Sequence, residues 1–141
     1  MSGQHSKPLG AWAEQQACIF LQQQHFQLLA RNFHSRYGEI DLIVRNETTL
    51  VFVEVKARSA RAIAPAHAVI SVSKQRKMSQ TALYFLQCYP EYSNDFCRFD
   101  VISFDFLHTF SKTAVLDFNK LQFELQWIEN AFTFDEELIN L

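Results

Sequence analysis

Two carboxylates and an ammonium stand at a spacing that can do chemistry: Asp41, twelve intervening residues, Glu54, and then Lys56 two positions on. Glu39 lies two residues before Asp41 and adds a further acid of the same parity. Carboxylates are hard oxygen donors suited to a divalent cation, and an adjacent lysine supplies fixed positive charge for an anionic substrate. The chemistry requires these side chains to meet. The stretches 38–45 (GEIDLIVR) and 50–56 (LVFVEVK) are rich in Ile, Leu, Val and Phe, and turn-like residues Asn46 to Thr49 separate them, so they read as a β-hairpin. Alternation then puts Glu39 and Asp41 on one face and Ile40, Leu42 and Val44 on the other, while Glu54 and Lys56 share a face. A turn centred between Glu47 and Thr48 makes paired residue numbers sum to 95, which sets Asp41 opposite Glu54 and Glu39 opposite Lys56. Opposed residues hold their Cβ atoms roughly 4.5 to 5.5 Å apart, where two carboxylates repel unless something positive lies between them. Magnesium answers that description, with oxygen ligands at about 2.0 to 2.1 Å drawn from one or two carboxylates, water and substrate phosphate. The competing reading is a surface ion-pair ladder on a half-exposed sheet.

The elements that must position this hairpin follow from periodicity. Leu9, Ala13, Ala17, Phe20 and Leu21 recur at helical spacing and predict a helix over 9–24, with Glu14 at the border of its apolar stripe. Glu14 is there either a reach toward the site or a first-turn acid favoured by the helix dipole. Residues 26–34 (FQLLARNFH) read as a strand leading into the hairpin. Residues 57–70 read as an Ala-rich loop broken by Pro65 and carrying Arg58, Arg61 and His67. A second helix over 73–89 is carried by Met78, Ala82, Phe85, Leu86 and Tyr89, and Pro90 stops it. Lys74, Arg76 and Lys77 crowd its first turn, where the dipole disfavours cations by about 0.3 to 1 kcal/mol each. A phosphate bound at the free N–H groups of that turn would offset this; a solvated basic face is the alternative. Residues 97–104 (CRFDVISF) and 121–128 (LQFELQWI) read as further strands, the first beside the hairpin, with Asp100 in a structural pairing with Arg98 or another basic group. The segment between them is a hairpin or a loop, and the acidic end a solvated tail or short helix.

Length and composition bound the class. The chain has 141 residues, 48% of them hydrophobic, with 14 Phe against 3 Gly and 3 Pro, which suits one folded domain over 1–141 with a core at about 9–132 and short N-terminal and acidic C-terminal tails. No apolar run approaches the roughly 18 residues of a membrane span, and the polar start lacks a signal-peptide core, so a cytoplasmic protein without a membrane partner is expected. Cys18, Cys88 and Cys97 are odd in number and not spaced as a zinc site; they are expected as buried thiols. The net charge of −2 is unevenly spread: residues 31–77 hold nine Lys and Arg against four acids, residues 91–141 three against ten. The basic part surrounds the carboxylates, as an anionic substrate requires, while the pI of about 6.2 argues against a protein that coats nucleic acid without selectivity.

The order of Asp41, Glu54, Val55 and Lys56 resembles the metal-binding motif of PD-(D/E)XK nucleases. More narrowly, Gly10 with Glu14, ARN at 30–32, GEIDLI at 38–43, VFVEVKAR at 51–58, Lys74 with Lys77, RFDVI at 98–102 and NAF at 130–132 resemble the YraN-like family, a largely uncharacterised bacterial group whose core is similar to Holliday junction resolvases and other restriction-endonuclease-like proteins. The resemblance implies an α/β (α+β) fold: a mixed central sheet flanked by helices, with an αβββαβ core. It implies Asp41, Glu54 and the Val55 carbonyl as ligands of Mg²⁺ or Mn²⁺, with Glu14 and Glu39 as auxiliary ligands or supports. Lys56 would activate water and stabilise charge on the phosphate, while Arg58, Arg61, Lys74, Arg76 and Lys77 would contact nucleic acid, DNA ahead of RNA. The loop after Arg58 departs from the family in reading ARAIAPAHA without the usual Gly. The expectation is an endonuclease-like protein for branched or single-stranded nucleic acid, for which a homodimer would suit paired cuts. A non-catalytic nucleic-acid-binding module and a protein-interaction domain stand as alternatives.

Overall fold

Apolar side chains of both periods, 2 and 3.6, assemble into a five-stranded sheet with a helix on each face. The structure is a computed structural model that describes residues 7–58, 70–107 and 117–134; Arg61, Pro65 and His67 of the basic loop and residues 135–141 of the acidic end lie outside these. The elements run α1 (Lys7–Gln23), β1 (Gln27–Ser35), β2 (Gly38–Asn46), β3 (Thr49–Arg58), α2 (Val72–Cys88), β4 (Phe96–Phe106) and β5 (Phe123–Phe132), with short 3₁₀ turns at Pro90–Tyr92 and Phe118–Lys120. Strand order is β1-β2-β3-β4-β5, all neighbours antiparallel except the parallel pair β3–β4. The sheet is therefore mixed, and α2 forms part of the crossover that a parallel pair requires. The expected α+β class and αβββαβ order hold, with β5 added at the edge.

Each face of the sheet has its own core. Leu9, Ala13, Ala17 and Leu21 of α1 are all buried against Leu42, Val44, Val51, Val53 and Val55. The helix ends at Gln23, and just beyond it His25, with a φ of 71°, reverses the chain while Phe26 donates its N–H to the Leu21 carbonyl at 3.0 Å. On the other face Met78, Ala82 and Phe85 of α2 cover Ile43, Leu50, Phe52 and Phe99. Burying a side chain such as Met78 or Phe85 contributes roughly 1.5–3 kcal/mol, so these two, with the small Ala82 letting the helix approach closely, fix it to the sheet. Ser71 caps α2, its hydroxyl accepting the Lys74 N–H at 3.1 Å, and Tyr89–Pro90 terminates it. Cys18 is buried as expected, whereas Cys97 is partly exposed and Cys88 exposed.

The hairpin has the register that a turn at Glu47–Thr48 dictates, pairing Asn46 with Thr49 and continuing to Leu42 with Val53. Beyond that pair β2 and β3 part company. The first half of β2, from Gly38, stays paired with β1, while β3 continues to Arg58 in its ladder with β4. Asn32 takes a positive φ of 50°, and the β1–β2 ladder steps from Arg31–Leu42 to Phe33–Ile40 with no backbone pair between Asn32 and Asp41. This irregularity corrects two expectations. Ile40 packs with the α2 core instead of joining Leu42 and Val44, and Glu39 is not paired with Lys56, because the hairpin ladder ends before reaching them. Among the described residues, then, the sheet forks between Asp41 and Glu54.

Candidate functional site

The fork brings Asp41 and Glu54 together. Both are buried, and the Asp41 carboxyl hydrogen-bonds Glu54. Where β2 leaves β3, the Asp41 Oδ2 also accepts the Val55 N–H at 2.8 Å, so a side chain does the work that a partner-strand carbonyl does elsewhere in the ladder. Val55 thus serves the site through its amide. Burial, with the hydrogen bond and charge of Glu54, pushes the Asp41 carboxyl up to about 9. For Glu54, burial works in the same direction but is outweighed. The hydrogen bond with Asp41 and the charges of Lys74 and Lys56 hold it below the usual carboxylate range. The pair consequently shares one proton, held on Asp41, with Glu54 ionised.

Two ammonium groups converge on Glu54. Lys56 Nζ is 3.4 Å from its Oε2, and Lys74 Nζ, from the first turn of α2, is 2.9 Å from the same oxygen. Burial disfavours the Lys74 charge, but the charge of Glu54 and the contact with it more than compensate and raise the Lys74 pKa. Glu54 therefore supplies an anionic partner for one of the cations that crowd the start of α2.

The other expected residues are placed as follows. Glu14 is half-buried on α1 and hydrogen-bonds Asn32; burial raises its pKa, and the charges of Glu39 and Glu54 add to the rise, so it stands within electrostatic reach of the pair. Among the described residues no group of three or more His, Cys, Asp or Glu side chains converges as a ligand set; Glu14 is the acid whose charge is felt by the pair. Glu39 lies 3.9 Å from His34 Nε2. Arg58 spans Asp105 with two bonds, of 2.8 and 3.1 Å, and that carboxylate also takes Ser103 and Gln126. Burial raises the Asp105 pKa, but the bonds from Arg58 and Ser103 win and hold it below the usual range. Lys77 is exposed, Arg76 is half-buried with its Nε unpartnered among the described residues, and Arg61 lies outside them. Asp100 faces away from the fork, binding Arg98 with two bonds and accepting from Trp127 Nε1 and the Asn130 N–H, a structural role as expected.

Sequence reasoning missed Asn32, Ser103 and Asp105. The parallel register seats Ser103 beside Lys56 and Asp105 beside Arg58. The available signal was a Ser-x-Asp pair among the apolar residues that follow Asp100, and ending that strand at Phe104 left it unread.

As a cation site the fork is chemically apt. Two buried carboxylates close enough to share a proton are close enough to share a hard cation in its place, and water and substrate phosphate usually supply the rest of a magnesium shell. No described helix is long and apolar enough to cross a membrane. Residues 13–104 match the family described as Uncharacterised protein family UPF0102. The chain is 57% identical over 129 residues to a UPF0102 protein of Acinetobacter baylyi, covering 92% of both chains. A UPF0102 protein of Acinetobacter baumannii is 50% identical over 130 residues, 92% of this chain and 98% of that one. One from Francisella tularensis subsp. novicida is 39% identical over 125 residues, 88% and 93% respectively. With the family match spanning residues 13–104 and relatives this similar over nearly their whole length, the chain belongs to the uncharacterised family UPF0102.

Proposed function

We propose that this chain is a divalent-metal-dependent phosphodiester hydrolase acting on branched or single-stranded nucleic acid, with its site at the sheet fork. The observation that carries this reading is the pair of neighbouring buried carboxylates, Asp41 and Glu54, with Lys56 at 3.4 Å and Lys74 at 2.9 Å from Glu54. Asp41 and Glu54 would hold Mg²⁺ or Mn²⁺ in place of the shared proton. A bound divalent cation supplies Lewis acidity toward a phosphoryl oxygen and lowers the pKa of water. The chain's own residues do the remainder. Lys56 places fixed positive charge where the phosphate acquires negative charge, and Lys74, paired with Glu54, is available to a phosphate that competes for it. Burial of the dyad strengthens each of these interactions.

A second reading is favoured by one observation. Glu54 already faces two lysines and Asp41 keeps its proton, so the fork carries a net positive charge without a metal and would serve a nucleic-acid-binding module that does not cut. A cleavage assay over duplex, single-stranded, flap and four-way-junction DNA and RNA with Mg²⁺ or Mn²⁺ separates the two. Metal-dependent cutting that is lost in Lys56→Ala supports hydrolysis. Salt-sensitive binding without cutting, weakened in Lys74→Ala with Lys77→Ala, supports the module.

A further inference from the structure

A cavity of about 510 Å³ opens between the turn that joins β1 to β2 and the outer face of α2. Its lining is of one chemical kind. Tyr37 and Tyr84 offer aromatic faces, Leu83 an apolar patch, Gln80 and Gln87 paired amide donors and acceptors, and Arg36 a cation. No acidic side chain lines it among the described residues. A planar, hydrogen-bonding, electron-rich ligand attached to an anionic backbone matches this lining, and a nucleobase in a strand is such a ligand. The volume falls within the roughly 300–1,000 Å³ of sites that enclose small ligands.

The cavity is built rather than accidental. Ser35 Oγ and the buried Thr81 Oγ1 are hydrogen-bonded at 2.7 Å, and the same Ser35 oxygen accepts the Tyr37 N–H at 3.0 Å, so the turn is pinned to the helix. The Arg36 guanidinium lies 4.8 Å from the Tyr37 ring centroid and donates to its hydroxyl at 2.7 Å, which fixes that ring. The cavity also reaches toward Glu39, the acid two residues before Asp41. His34 lines it and stands 3.9 Å from Glu39. Along α2, Lys74 at Glu54, exposed Lys77, then Gln80 and Tyr84 follow one another; at 1.5 Å per residue, Gln80 and Tyr84 lie roughly 9 and 15 Å from Lys74 along the axis. At about 3.4 Å per stacked nucleotide this is a separation of some two to four nucleotides.

We infer that this cavity holds an unpaired base of the bound strand, two to four nucleotides from the phosphate at Lys74, and so selects nucleic acid with single-stranded character. The inference rests on the proposed action on nucleic acid, but its binding step needs no cleavage. Its test uses the wild-type chain in EDTA with short single-stranded DNA carrying one 2-aminopurine, moved position by position. At one position the fluorescence is expected to be quenched on binding. Replacing that base by an abasic site, or Tyr84 by Ala, should weaken binding roughly five- to 150-fold, the range for losing one base–aromatic stack. Tyr84→Phe, which keeps the ring, should bind like wild type. Absence of binding, unquenched fluorescence at every position, or equal binding of abasic and intact strands would overturn the assignment. Displacement of the oligonucleotide by dAMP at equal concentration would assign the cavity to a free nucleotide and overturn the strand reading. Metal calorimetry decides the hydrolase separately. Stacking without metal binding leaves the pocket and removes hydrolysis, and wild-type cutting of abasic strands does the reverse.

Discussion

Replacing Asp41 by Asn tests the fork without disturbing its packing. The Asn carbonyl can accept the Val55 N–H as Oδ2 does, and its amide can donate to Glu54 as the protonated carboxyl does. Folding stability of Asp41→Asn at neutral pH should therefore stay within about 1 kcal/mol of wild type. Asp41→Ala leaves the Val55 N–H unpaired and should cost roughly 1–3 kcal/mol. Metal binding should respond in the opposite sense. With Asp41 pushed up to about 9, the carboxyl is about 99% protonated at pH 7, and expelling that proton costs roughly 3 kcal/mol at 1.36 kcal/mol per pH unit. Each Mg²⁺ or Mn²⁺ bound at pH 7 should then release close to one proton, and affinity should rise about tenfold per pH unit until the Asp41 pKa is reached. Calorimetry in buffers of different ionisation enthalpy measures the released proton directly. Metal binding that releases no proton, has the same affinity across this range, or survives unchanged in Asp41→Asn would refute the reasoning. The same linkage has a stability arm. Because the native state holds a proton that the unfolded chain loses above the ordinary value of 3.8, wild-type stability should fall as pH rises from there toward 9, and Asp41→Asn should lack that fall in thermal melts.

Glu54→Ala leaves Lys56 and Lys74 facing each other without their anion and should cost roughly 3–5 kcal/mol in urea unfolding, the range for breaking a buried pair. Asp105 has a lowered pKa, so its contribution to stability is fully present above the ordinary value of 3.8 and is lost as pH falls through the folded value; melting temperatures of wild type and Asp105→Asn should converge at the acid end. Gly38 sits at φ 152°, where a β-carbon would meet Lys77 only at an ordinary 3.7 Å, so Gly38→Ala should lose more than about 1 kcal/mol through backbone strain and not through a clash. Chemical denaturation of Gly38→Ala alongside Lys77→Ala separates the two causes, since trimming Lys77 should not rescue it.

The amino-acid sequence alone determined what depends on near neighbours. Strands and helices were legible because Leu9, Ala13, Ala17 and Leu21 or Val51, Val53 and Val55 repeat with the period of their own element. The hairpin register was legible because a two-residue turn at Glu47–Thr48 leaves no freedom in how Leu42 meets Val53, and this brings Asp41 toward Glu54. Only the tertiary structure decided the rest. Lys74 reaches Glu54 because α2 docks its Met78–Phe85 stripe on β3, a contact that no local rule specifies. Ser103 and Asp105 join Lys56 and Arg58 through a parallel pairing whose register is set by packing across a crossover, since no tight turn ties the two strands. Asn32, turned to positive φ within β1, sits where the backbone pairing with Asp41 is lost and the sheet opens. Whether Asp41 or Glu54 keeps the proton follows from which of them the lysines approach, and that is a property of three elements folded together.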